Sequence, residues 1–97
     1  MEAAIVIRLS CIVPHCTHTR GQRKGEPPID PSEEWCCGQH WRLVSRETRQ
    51  RHSKAARLAR KAHRQGMAEE LVNRLRWRTW RAWDRCKAEA IERAMGI

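Results

Sequence analysis

Apolar and polar positions along the chain fall into three regimes. Ile5, Ile7, Leu9 and Cys11 alternate with Val6, Arg8 and Ser10. That is the two-residue period of a half-buried strand, so a strand is predicted over residues 3–11. Pro14 has no amide hydrogen to give to a ladder, so it ends the strand in the turn Cys11-Ile-Val-Pro-His-Cys16. Residues 17–32 hold Gly21, Gly25 and the run Glu26-Pro-Pro-Ile-Asp-Pro-Ser, a loop. Asp30-Pro-Ser-Glu-Glu predicts a helix start, because small polar residues are followed by carboxylates that suit the positive end of a helix dipole.

From Ser45 to Gln65 there is no Pro or Gly, and Ala, Arg, Lys and Gln dominate. These are good helix formers, and Gly66 is a natural break. At 100° per residue, Arg46, Arg49, Lys54, Arg57, Arg60, Lys61 and Arg64 fall within an arc of about 140°. Ala55, Leu58, Ala59 and Ala62 lie opposite, a weak apolar face with one large aliphatic residue. Residues 67–95 form a third regime ending at Gly96, a suitable C-terminal cap. Its main apolar stripe is Leu71, Val72, Leu75, Thr79, Ala82, Trp83, Cys86, Ala90 and Ala94. A second stripe, Trp77, Trp80, Ile91 and Met95, lies on the far side. Arg74, Arg78, Arg81 and Arg85 form a basic ridge beside Trp77. This segment is long for a globular helix, and a break into two is expected.

Composition sharpens the question of what holds such a chain together. The 97 residues include five Trp but no Phe or Tyr, and few Leu, Ile and Val. One small domain this poor in core material relies on disulfides, a metal or a partner. Five cysteines is an odd number, so a closed disulfide framework leaves one thiol over. Glu2 precedes the short apolar run and Arg8 interrupts it, which argues against a signal peptide. No run approaches the roughly 20 apolar residues of a membrane span, so no membrane role is expected. A reducing cytoplasm is the expected location, where Cys and His clusters bind metal more often than they form cystines.

The candidate ligands are Cys11, Cys16, one of Cys36 and Cys37, and His40. Zinc takes four such ligands in a tetrahedron, commonly as two close pairs joined by a longer loop. Cys11-x4-Cys16 lies in a Pro-containing turn. Cys37-x2-His40 spans one turn at a helix start, where i and i+3 share a face. Spacing favours Cys37 but leaves Cys36, at i,i+4 from His40, open. A Cys36–Cys37 disulfide would be strained. The competing reading makes the cysteines buried small hydrophobes and His40 a satisfied core histidine. Two spaced pairs in a core-poor chain weigh against it. Cys86, on the apolar stripe, is expected to be packing, and Trp35 and Trp41 to shelter the metal.

Cys11-x4-Cys16, a variable loop, then Cys37-Gly-Gln-His40-Trp41-Arg-Leu-Val44 and an Arg-rich helix resemble a group of short zinc-binding proteins of phages and prophages. Members of that group usually read Cys-x2-His-Trp-x2-Val-Pro, and this chain has Ser45 in place of the Pro. The knuckle, loop and helix-borne pair are also similar to treble-clef zinc fingers, including zinc modules beside phage HNH endonucleases. The resemblance covers roughly residues 9–60 and implies zinc and a mobile-element origin, without supplying an activity. The expected fold is mainly α, with a small zinc-stabilised β/turn module over residues 1–44, treble-clef-like. Two or three helices follow over residues 45–97, all in one compact domain.

Charge carries the functional expectation. Residues 42–64 hold nine basic groups (Arg42, Arg46, Arg49, Arg51, Lys54, Arg57, Arg60, Lys61 and Arg64) against Glu47 alone. The net charge of the whole chain is +9, so nearly all the excess sits in this segment. Such clustering points to a polyanion, and nucleic acid is the expected partner. Arg74, Arg78, Arg81 and Arg85 extend that surface, with Trp77 or Trp80 available to stack on unpaired bases. The alternative is an effector that binds and inhibits a host protein or defence complex, in the manner of an anti-CRISPR, through Trp77, Trp80, Ile91 and Met95. The bland reading packs Trp77 and Trp80 on the zinc module or the preceding helix, and a homodimer through that stripe is also compatible. No nucleophile motif or second metal-binding set accompanies the cysteines, and four protein ligands close a zinc to water. The zinc is therefore expected to be structural and the protein not an enzyme.

Overall fold

A computed structural model describes residues 7–96. The element order is β1 (Leu9–Ser10), β2 (Thr19–Arg20), α1 (Gly38–Trp41), α2 (Arg46–Arg64) and α3 (Glu69–Ala94). Of the predicted strand only Leu9–Ser10 form β1, with Ile7 and Arg8 outside it and Cys11 in an isolated bridge. β1 is antiparallel to β2 with Leu9 opposite Arg20 and Ser10 opposite Thr19. The first residues of the predicted strand, 3–6, lie outside the described residues. Leu9 is buried and Ser10 exposed, as the alternation requires. The Cys11 amide donates to the His18 carbonyl at 3.1 Å, so the Cys11–Cys16 segment forms the tip of the hairpin. His15 sits there at φ 68°, a left-handed conformation that histidine tolerates better than most residues.

The helix start expected at Asp30 is not found. Asp30 Oδ1 accepts from the Ser32 amide at 2.9 Å and from the Ser32 hydroxyl at 2.8 Å, closing a side-chain-capped turn instead. The chain must then extend, because the Trp35 carbonyl accepts from the Ile12 amide at 2.8 Å beside a parallel bridge to Cys11. Helix begins only at Gly38, after Cys37 in extended conformation (φ −69°, ψ 159°).

Ser45 caps α2: its hydroxyl accepts from the Thr48 amide at 3.2 Å. The helix closes in a Schellman turn, with Met67 N–H to Ala62 O at 3.1 Å and Gly66 N–H to His63 O at 3.1 Å. Gly66 takes φ 67° there. The chain then reverses into α3, which runs 26 residues without the expected break. Glu69 and Glu70 occupy its first turn, where the dipole favours them.

The helices meet through small residues. Ala59 and Ala62 of α2 are buried, whereas Leu58, assigned to the same face from sequence, is 41% exposed. Val72, Cys86 and Ala90 are the buried apolar residues of α3. The main core is Cys11, Val13, Cys37, Val44, Cys86 and Ala90, with Trp35, Trp41, Trp83 and Ile91 packed around it. The N-terminal module is thus the core of the fold, seated on the C-terminal half of α3. Cys86 is fully buried and donates to the Thr48 carbonyl, the packing role expected of it. Among the described residues no helix is long and apolar enough to cross a membrane.

Candidate metal centre

The hairpin tip and the start of α1 bring Cys11, Cys16, Cys37 and His40 together, with all four ligand atoms within 4.8 Å of one another. His40 Nδ1 lies 3.2 Å from Cys37 Sγ and 3.5 Å from Cys11 Sγ. Cys16 Sγ lies 3.9 Å from Cys37 Sγ. Sulfur and nitrogen ligands at about 2.3 and 2.0 Å from a tetrahedral metal stand about 3.5–3.8 Å apart. These three separations are therefore close to those of a coordination sphere, and all four ligand atoms stay within 4.8 Å. Three thiols and an imidazole form a soft donor set that can hold a metal ion and is ill matched to hard cations such as Mg²⁺.

Backbone geometry prepares Cys11 for ionisation. Burial opposes the Cys11 thiolate, but hydrogen bonds from the Cys37 and Val13 amides and from His40 outweigh it and bring its pKa down to about 6. The Cys37 amide reaches Cys11 Sγ at 3.4 Å. At Cys16 the His18 amide favours the thiolate, but burial and the neighbouring Cys11 thiolate prevail and raise the pKa. A bound cation reverses that repulsion, since metal binding displaces thiol protons.

Cys36 stands apart. Its Sγ donates to the Cys37 carbonyl at 3.6 Å, and burial together with the Cys11 charge pushes its pKa up to about 12. The cluster that could hold a metal thus includes Cys37 and not Cys36, in line with the i,i+3 spacing to His40. His15 is exposed and outside the cluster, while His18 Nδ1 lies 3.4 Å from Cys16 Sγ. Trp35 is half-buried against the core. Trp41 stacks on Trp83 at 6.1 Å between ring centroids, with His52 edge-on at 6.3 Å. Burial, with Arg60 nearby, lowers the His52 pKa, so the ring is neutral at pH 7 and packs as an aromatic. This stack ties α1 to both long helices.

Two carboxylates that sequence reasoning passed over lock the module in place. Glu89 on α3, 6% exposed, accepts from the Ser45 amide at 3.2 Å and from the Thr48 hydroxyl. It supplies from another helix what the glutamate of a capping box supplies locally. Arg93 and Arg85 flank it at 3.2 and 3.8 Å, and Arg93 also donates to the Leu43 carbonyl. The signal was present: a single carboxylate beside Cys86 and Ala90, with an arginine four residues away on each side. Glu34 accepts from Trp83 Nε1 at 3.2 Å and from Lys87 Nζ at 2.6 Å, fastening the loop to α3.

The basic residues separate into two surfaces. Arg46, Lys54, Arg57, Arg60, Lys61 and Arg64 are exposed on α2, and among the described residues none pairs with a carboxylate. Arg49 is half-buried and donates to the Val44 carbonyl at 3.2 Å, so it belongs to the scaffold. Arg74, Arg78, Arg81 and Arg85 are exposed on α3. At 100° per residue Arg81 points about 180° from Val72, so this ridge faces away from the core instead of continuing the α2 arc. Trp77, Trp80 and Met95 are 63, 69 and 57% exposed, which overturns the packing reading of the two tryptophans. Ile91 turns against the metal module and breaks the stripe that joined it to them. No protein-family model, curated protein or solved structure matches the chain.

Proposed function

We propose that the protein is a zinc-stapled module that binds nucleic acid through α2. Zinc is the metal that best suits three cysteine thiolates and one histidine at these spacings. With all four positions filled by protein, it has none left for water. Its role is to fix the hairpin against α1 and α3, and so to set where α2 begins; no catalysis is assigned to it. The hairpin, loop and helix-borne ligand pair support a treble-clef-like reading of the module. The resemblance of its motifs to short phage and prophage zinc proteins suggests a mobile-element origin and action in a bacterial cytoplasm.

The observation that carries the nucleic-acid reading is the set of six α2 cations that have no acidic partner among the described residues. Exposed cations on a rigid helix are free to replace the counterions of a phosphate backbone. Binding of this kind carries no sequence preference. If about four of these cations meet phosphates, affinity falls about a hundredfold between 50 and 200 mM salt. Fluorescence anisotropy with labelled oligonucleotides tests this: an affinity that stays constant across that range overturns the reading.

The exposure of Trp77, Trp80 and Met95 favours a second reading, an effector that docks these side chains on a host protein. Aromatic anchors beside arginines are typical of interface centres. A stoichiometric protein partner recovered from nuclease-treated lysate would favour it. A self-association lost in Trp77→Ala would assign the same side chains to a homodimer.

A further inference from the structure

Between the C-terminal half of α2 and the N-terminal half of α3, remote from the Cys/His cluster, lies an open groove of about 260 Å³. Ala56 and Ala59 form its apolar floor, Trp80 its aromatic wall, and Arg60, His63 and Arg76 bring polar groups to it. Its origin is local. The small alanines leave space that larger side chains would have filled, and Trp80 lies at the edge of the helix interface, 69% exposed. Arg60 and Arg76 approach from opposite helices and, among the described residues, neither pairs with a carboxylate.

We propose that this groove receives one unstacked nucleobase of a single-stranded nucleic acid, laid on Trp80, with Arg60 and Arg76 on the phosphates that flank it. The proposal rests on the nucleic-acid reading above and deepens it from polyanion to single strand. Size, charge and chemistry agree. Pockets for drug-sized ligands begin at about 300 Å³, so this one fits a single flat ring. A base has an apolar face for the indole and carries an anionic group on each side, matching two cations across an aromatic wall. A duplex keeps its bases stacked inside and offers nothing to Trp80. Arg60 also belongs to the α2 arc, so a strand leaving the groove runs directly onto Arg57 and Arg64.

The test compares a labelled 12-nucleotide oligothymidylate with a 12-base-pair duplex by anisotropy, using the full chain with its metal. The wild type is expected to bind the single strand about tenfold more tightly than the duplex at 100 mM salt. Trp80→Ala weakens single-strand binding about tenfold and leaves duplex binding and thermal stability unchanged, while Trp80→Phe restores most of the loss. Arg60→Gln and Arg76→Gln each reduce the slope of log affinity against log salt by about one. Trp80→Ala without effect on single-strand affinity overturns the base-stacking proposal and spares the phosphate reading. Equal loss on both probes overturns it too, and hands Trp80 to a general or protein-binding role. No binding of either probe by the wild type at 50 mM salt overturns both readings together.

Discussion

At Cys37 the extended backbone before α1 delivers Sγ to within 3.2 Å of His40 Nδ1, while the adjacent Cys36 Sγ is spent on a carbonyl. Cys37→Ser is therefore expected to abolish stoichiometric metal binding, and Cys36→Ser to keep both metal and melting temperature. Metal analysis beside a thermal melt reads both; metal loss in Cys36→Ser contradicts the assignment. Glu89 makes a second residue-scale prediction. Hydrogen bonding from Thr48 lowers its pKa below the ordinary 4.5, burial opposing and the Ser45 amide assisting. A depressed carboxylate stabilises the fold above its unfolded-state pKa and loses that contribution as pH falls through its folded value. Glu89→Gln should thus cost about 2 kcal/mol at pH 7, and the gap to wild type should close as pH falls below 4.5. A gap that is constant from pH 7 to 3 by chemical denaturation contradicts it. The Cys/His cluster was legible, except for the choice between Cys36 and Cys37, because metal chemistry ties residue type to spacing. For Glu89 the flanking arginines were legible but its capping role was not, because Ser45 and Thr48 lie more than 40 residues away and no local pattern links them to it.

The helices were legible at the scale of elements, and their relations less so. Ser45, Gly66 and Gly96 are local signals: Ser45 opens α2, and Gly66 and Gly96 follow the C-terminal ends of α2 and α3. The helix expected from Asp30 failed because a cap-like Asp-Pro-Ser can close a turn on itself, and Trp35 is needed in extended form beside Cys11. The break expected in α3 is absent because the helix is supported along its length, by α2 on its N-terminal part and the metal module on its C-terminal part. Gly66→Ala forces a side chain into φ 67° and should cost about 1 kcal/mol, measured by denaturant unfolding. An unchanged midpoint would show that the Schellman turn does not constrain the hairpin. For α2, a double Arg57→Gln, Arg64→Gln variant should lower the salt slope of oligonucleotide binding by about two without changing helicity. An unaltered slope would remove these residues from the phosphate contact.

The molecule as a whole has a core that is small and partly made of the clustered cysteines. Cys11 and Cys37 count among its buried residues, and Val44, Cys86 and Ala90 pack around them. Alanines make much of the α2 interface with α3, so the hairpin alone buries little. On the proposed zinc reading, the metal centre and the fold form one cooperative unit. Chelation should lower the helical circular dichroism signal and restoring zinc should recover it, an expectation for a domain whose metal-binding energy is folding energy. Full helicity retained after the metal is stripped would show that the hairpin stands alone. Charge distribution was also legible, since it depends only on which residues are present. The separation of the α2 and α3 basic surfaces, and the groove between the helices, emerged only from the packing. The most direct measurement of the central claim is native mass spectrometry of the protein purified without chelator. One zinc ion per chain, absent from His40→Ala, is the predicted result; a folded wild-type chain at its bare polypeptide mass would contradict the account.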